Sequence, residues 1–402
     1  MRRSFVRRSA LALVLALASS ACAESQTQDT SIGGRTPFPT ASAPGAAQPP
    51  TAAQEVTAFV RPLVSSWRPK GTTVVTMAAD KLIATSLDGG SSTELVELVH
   101  GAEWEWSMRH DGGAFVAAVE MASGITRVAI WEPAAGVVRW LTADGPFFQF
   151  SPVWSHDGQA IYFGGRCDQP GVSRVRADGT GLQQVLTTRC PPITTPVAES
   201  AGGTLYVQEG WEGPEVLGLR DLTSGQKRNF PGWHLDALRE RQPGALAQGG
   251  PPVGSSQSWP APTGLTLFDE RTGGRTDLLG GLTEVGGADW DPTGTRIVAA
   301  IRPRRTRESP VLATMDERGG ARRLINGTSG ASRPTWVREG ILYLWAEIED
   351  WERWDNPYAS DEFDLFPILR PPFELHLVNP DTGASRVILR SDTKFGFAVV
   401  GG

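Results

Sequence analysis

Ser151-Pro152-Val153-Trp154-Ser155-His156-Asp157-Gly158-Gln159-Ala160-Ile161-Tyr162-Phe163 is the stretch on which the fold turns. It reads as a strand, a tight Asp-Gly turn and a second strand. The Asp side chain can close the turn on its own backbone, and Gly accepts a left-handed conformation. The same Trp-to-Gly spacing recurs at Trp67 with Gly71, Trp290 with Gly294 and Trp336 with Gly340. Trp106 fits as well, with Asp111-Gly112-Gly113 stretching the turn. Two weaker copies lack the Trp: Pro196-Val197-Ala198 leading to Gly202-Gly203, and Leu238 leading to Gly244.

A second turn signal follows each copy. It falls at Asp88-Gly89-Gly90, Glu132 to Gly136, Asp178-Gly179, Thr223-Ser224-Gly225, Thr272-Gly273-Gly274, Glu317 to Gly320 and Asp381-Thr382-Gly383. Short apolar stretches flank each one, which predicts a second hairpin. The unit is therefore strand–turn–strand, loop, strand–turn–strand, repeated roughly every forty to fifty residues. One such four-stranded sheet cannot bury both faces, whereas radial stacking into a closed ring buries them and removes most free edges. The expectation is an all-β propeller of four-stranded antiparallel blades, seven favoured, with six as the alternative. The apolar tail Lys394 to Val400 has no place in this scheme unless it completes a blade at the closure point. The repeated Trp is expected to pack between blades, and the turn Asp and Gly to satisfy turns.

Ser-Pro-x-Trp-Ser-x-Asp-Gly at Ser151 to Gly158 resembles the TolB-type propeller repeat of bacterial periplasmic proteins. Asp289-Trp290-Asp291-Pro292-Thr293-Gly294 and Trp67-Arg68-Pro69-Lys70-Gly71 are looser copies. The resemblance covers about 340 residues, from near Leu63 onward, within a propeller domain placed at 55–402. It implies one of several roles: a protein-docking platform, the propeller half of a peptidase, or a sugar-binding or sugar-cleaving domain. Relatives of this kind often have six blades.

The first residues are of another kind. Arg2, Arg3, Arg7 and Arg8 form a basic region, and Ala10 to Ala18 is an apolar run too short to span a bilayer. The small residues before Cys22 resemble a bacterial lipobox, although Ser19 stands where that family usually has Leu. The resemblance implies a signal over 1–22 and lipidation of Cys22. Ala21-Cys22-Ala23 also reads as an ordinary signal-peptidase site, which would make the protein soluble and secreted. Residues 23–54 are rich in Pro, Ala, Ser and Thr and nearly free of large apolar side chains, so a disordered tether is expected.

The net charge is −6, and loss of the four leader arginines takes it to about −10. A nucleic-acid partner would want a basic stripe, and none is visible. Contact with a membrane is expected through the lipid anchor only. The expected setting is the periplasm or the outer face of a bacterial membrane, where Cys167 and Cys190 are a candidate disulfide pair.

Catalytic signatures are missing. There is no Gly-x-Ser-x-Gly, no His-Glu-x-x-His, no phosphate loop and no dinucleotide fingerprint. The five histidines, His100, His110, His156, His234 and His376, have no metal-ligand spacing. No catalytic residue and no cofactor are expected. What departs from the repeat is an insertion at about 347–372, acidic and aromatic together. Three readings stay open for it. It could be a cover folded onto the propeller, or a partner-binding surface anchored by Trp351, Trp354, Tyr358 and Phe363. It could also be a weak cation site through Asp350, Glu352, Asp355, Asp361 and Asp364, whose spacing does not match an EF-hand. Strand parity puts the insertion on the same face as Cys167, Cys190, Trp211 and Trp259. The expectation is a non-enzymatic platform that binds a protein or polymer of the cell envelope on that loop-rich face. The alternative is a glycan-active hydrolase or lyase with carboxylates in the central channel.

Overall fold

The strand Phe115–Glu120 shows how the core is made. Phe115, Ala117 and Val119 pack to one side, and Val116 packs to the other. A strand buried on both faces carries a continuous apolar run instead of an alternating one. Such strands recur at Ala160–Gly165, Arg296–Pro303 and the start of Gly340–Asp355.

In the computed structural model the described residues are 60–401, with breaks at 79, 89–90, 99–104, 122–124, 143–147, 167–168, 190–192, 211–215, 232, 239–243, 250–262, 304–305 and 356–362. Within 353–355 and 363–366 only the backbone is described. The predicted signal, Cys22 and the whole of the tether lie outside these residues.

The described chain is all strand and turn, without a helix, and forms seven four-stranded antiparallel blades. Blades 2, 3 and 4 are each built from four consecutive strands. Blades 5 and 6 share the long strand Arg275–Trp290, whose first half is outermost in blade 5 and whose second half is innermost in blade 6. Blade 7 runs from Ala331–Val337 to Ser385–Ser391.

Blade 1 closes the ring. Its innermost strand is the tail Gly396–Val400, which pairs with Thr73–Ala78 through Thr73↔Val400 to Met77↔Gly396. The segment around Trp67 is not a strand. Its Trp packs beside blades 1 and 2, with the main-chain N–H donating to Pro133 O at 3.0 Å. The first sequence copy thus contributes a turn and an aromatic plug, and the far end of the chain supplies the strand. Val60–Pro62 adds a fifth, outer strand to this blade.

The apolar core divides into seven clusters, each between two neighbouring blades. Trp154 sits between blades 2 and 3, Trp290 between 5 and 6, and Trp336 between 6 and 7. The predicted turn chemistry is present too. Asp157 accepts from Ser155 Oγ at 2.6 Å and from Gln159 N at 2.9 Å, and Gly158 has φ +67°. Asp291 accepts from the main chain of Thr295 and Arg296 at 2.7 and 2.9 Å.

Candidate functional site

The 347–372 insertion is not a loop. It is a β-ribbon, the outward continuation of the two middle strands of blade 7, Gly340–Asp355 and Phe363–Val378. Pairing runs from Ile341↔Val378 to Asp355↔Phe363, with Pro371 and Pro372 passed over between Phe373 and Arg370. The aromatic and branched side chains that argued for a folded segment are also good strand formers, which is why the backbone pairs. The register slips between Ile348 and Asp350. That bulge restores parity, so Ile348, Leu369, Trp351 and Pro367 share one face. Glu347 and Arg370 pair on the opposite face.

The apolar face is fastened at its base. The Arg302 guanidinium lies 4.3 Å from the Trp351 ring centre and pairs with Glu284 on the inner strand of blade 6. It also donates to Thr306 O at 2.8 Å. This is a cation–π stack with a buried, oriented cation. Asp350 Oδ1 accepts the N–H of Trp351 at 2.7 Å, and Glu352 is exposed. Of Trp354, Asp355, Phe363 and Asp364 only the strand backbone is described, and Tyr358 and Asp361 lie outside the described residues. So do Cys167, Cys190, Trp211 and Trp259. Among the described residues no group of three or more His, Cys, Asp or Glu side chains is placed to hold a metal ion.

The central channel is walled by the inner strands, and its carboxylates are its most informative groups. Glu105 of blade 2 accepts the N–H of Ser151 in blade 3. Glu199 of blade 4 accepts the main-chain N–H of His156 at 3.0 Å and the Tyr162 hydroxyl at 2.9 Å, both in blade 3. Asp289 of blade 6 accepts Trp290 N with one oxygen and Trp336 N of blade 7 with the other, each at 2.8 Å. These three carboxylates staple neighbouring blades at the channel wall, as hydrogen bonds to a charged acceptor do well.

Asp236 of blade 5 differs. Its Oδ1 accepts from Gln248 Nε2, but its Oδ2 is fully enclosed and has no hydrogen-bond partner. Gln248 Oε1 is likewise enclosed and unpartnered. Desolvation pushes the Asp236 carboxyl up to about 8, Gln248 pulls it back, and the charge of Asp289 adds to the rise. The residue is half-buried in a channel pocket of about 230 Å³, lined also by Gly287, Ala288, Arg333, Pro334, Thr335 and Phe397. Gly287 has φ +119°, and a Cβ there would lie 3.1 Å from Arg333 Cα, so the backbone conformation and the close approach of blades 6 and 7 at the pocket both favour glycine. A second, open cleft of about 500 Å³ lies by the inner turns of blades 2 to 4, with His110, His156 and Glu199 in its wall. Glu199 is already committed to blade 3.

The sequence reading did not single out Asp236. The signal was available: Pro152 and Pro334 occupy the equivalent slot, two residues before the anchors Trp154 and Trp336. In blade 5 that slot holds Asp236, two before Leu238. It is the bulged residue of its strand, since the register shifts between Leu235 and Ala237.

No family model matches the chain, and no curated protein matches it. Solved structures do share its architecture. An oligogalacturonate lyase in complex with manganese superposes with a TM-score of 0.52 at 12% identity, covering 82% of this chain and 87% of the lyase. Prolyl endopeptidases superpose at 0.56 and 12%, covering 85% of this chain and 50% of theirs. TolB from Acinetobacter baumannii gives 0.45 and 15%, covering 67% and 68%. At these identities the likeness is one of fold, and propellers of this fold serve unrelated chemistries.

Proposed function

We propose that this propeller is a non-enzymatic binding platform of the cell envelope, tethered through Cys22, that docks a protein or polymer on the face bearing the ribbon. The ribbon carries this reading. A two-stranded arm is at best marginally stable by itself, and among the described side chains this one is held by Trp351 stacked on Arg302. Ordering this much backbone costs conformational entropy, which a binding surface would offset. Replacing Glu349–Pro367 by a short turn should leave the propeller folded and remove partners captured from intact envelopes. An unchanged set of captured partners would show that this is the wrong surface.

The glycan-active alternative needs two free carboxylates, one acid and one base, facing each other in the channel. Asp289 is poorly suited to either role, because both its oxygens are occupied by main-chain donors. Cleavage of an envelope polysaccharide by the purified protein, lost in Asp236→Asn, would overturn the non-enzymatic reading.

A further inference from the structure

We infer that the Asp236 pocket is a binding site for an organic cation, a primary ammonium or guanidinium group that donates to the enclosed oxygens of Asp236 and Gln248. Three observations converge on it. Two acceptor oxygens, Asp236 Oδ2 and Gln248 Oε1, are buried without a donor on adjacent strands of one blade. Buried acceptors are nearly always satisfied, so with Asp236 ionised the chain carries a deficit that a donor-rich ligand would remove. The pocket that Asp236 lines has an aromatic wall in Phe397, a surface that favours cations. Finally, the acid stands where blades 3 and 7 have proline, Pro152 and Pro334, which lacks both charge and N–H, so the fold itself does not require it.

The charges around Asp236 favour the same occupant. From blade 6 it faces Asp289, whose negative charge reaches it. From its own blade it faces neutral Gln248. Arg333 of blade 7 lines the pocket but is exposed. An arriving cation would let Asp236 ionise beside Asp289, which a neutral or anionic ligand would not do. The pocket volume of about 230 Å³ suits the end of a lysine or arginine side chain, or a small free amine.

Because the empty site favours the protonated acid, cation binding must expel that proton, and affinity must rise with pH. Calorimetric titration of the full chain with n-butylammonium and with acetyl-Gly-Lys-Gly-amide tests this, with 1-butanol and the norleucine peptide as neutral controls. The expected result is cation binding about a hundredfold tighter near pH 9 than near pH 6, with proton release into the buffer and no binding of the controls. Asp236→Asn and Asp236→Pro should each weaken it about tenfold or more while melting cooperatively. Binding of the free amine would identify a small-molecule site, and binding of the peptide alone would identify a site for an inserted side chain. Either supports the inference. It is overturned if neither cation binds near pH 9, if the neutral controls bind equally, or if the variants bind like the parent. The first result would mean that water alone fills the pocket. The platform reading does not depend on this outcome, since removing the ribbon leaves the pocket intact.

Discussion

Blades 3 and 5 are built to the same plan from unequal sequences. In blade 3 every element of the repeat is present. Trp154 is buried between two blades, Ser155 and Asp157 lock the turn, and Ala160 N donates to Ser155 Oγ at 2.8 Å. In blade 5 Leu238 replaces the Trp and Asp236 replaces the Pro. The aromatic mass has moved to the other end of the inner strand, where Trp233 packs edge-on against Phe268 at 5.3 Å and Phe268 meets Phe230 at 4.6 Å. The blade forms either way. What specifies it is the burial of both faces, which several arrangements of large side chains can deliver. Relief from the repeat at one position is what placed an enclosed carboxyl group in the pocket.

The comparison breaks most readily at the anchor. Trp154→Ala should cost about 3–5 kcal/mol, through lost burial and a cavity between two blades. Leu238→Ala, at a half-buried site, should cost no more than about 2 kcal/mol in the same denaturant titration. Equal losses would mean that the two anchors do the same job.

The next effect separates the blades by sign. Asp236 titrates near 8 in the folded chain against an ordinary value of 3.8, so between those pH values the native state holds a proton that the unfolded state has lost. Stability therefore falls as pH rises through that window. Asp236→Asn should be close to neutral near pH 4 and stabilising by on the order of 2–4 kcal/mol near pH 8. A melting difference that stays flat across this range would contradict the burial argument.

The smallest effect is at the turn of blade 3. Asp157 is held below its usual range, chiefly by the Ser155 hydroxyl and then by the N–H of Gln159, so its contribution is present at neutral pH and lost on acidification below the ordinary carboxylate range. At an exposed turn, Asp157→Ala should cost about 1 kcal/mol or less at neutral pH. A loss as large as that of Trp154→Ala would show the turn, and not the interblade burial, to be what specifies the blade.

Blade number, strand order and turn positions could be read from the chain because hairpins are local and their Asp-Gly and Trp signals lie within a few residues of one another. Three features could not. The inner strand of blade 1 comes from Gly396–Val400, and nothing near Trp67 announces a partner so far away. The ribbon has the composition of an insertion, and only the cross-strand register, with its bulge beside Glu349, shows it to be a continuation of blade 7. Asp236 sits in the repeat with the fewest landmarks, and its meaning depends on Asp289 and Gln248, which lie on other strands.

The pairing of Thr73–Ala78 with Gly396–Val400 also gives the molecule a schedule. Blades 2 to 7 are each made from neighbouring stretches of chain, so they can assemble in order as a chain emerges from its N-terminal side. The first blade cannot, because its innermost strand is synthesised more than three hundred residues after the strand it joins. Until then the inner edge of Thr73–Ala78 is an unpaired template, open to any passing strand. Closing so large a loop is a slow, late step. A chain stopped short of residue 396 would therefore present an open stack of blades with a reactive edge at one end. Closure converts arrival of the final strand into a signal that the whole ring is ready.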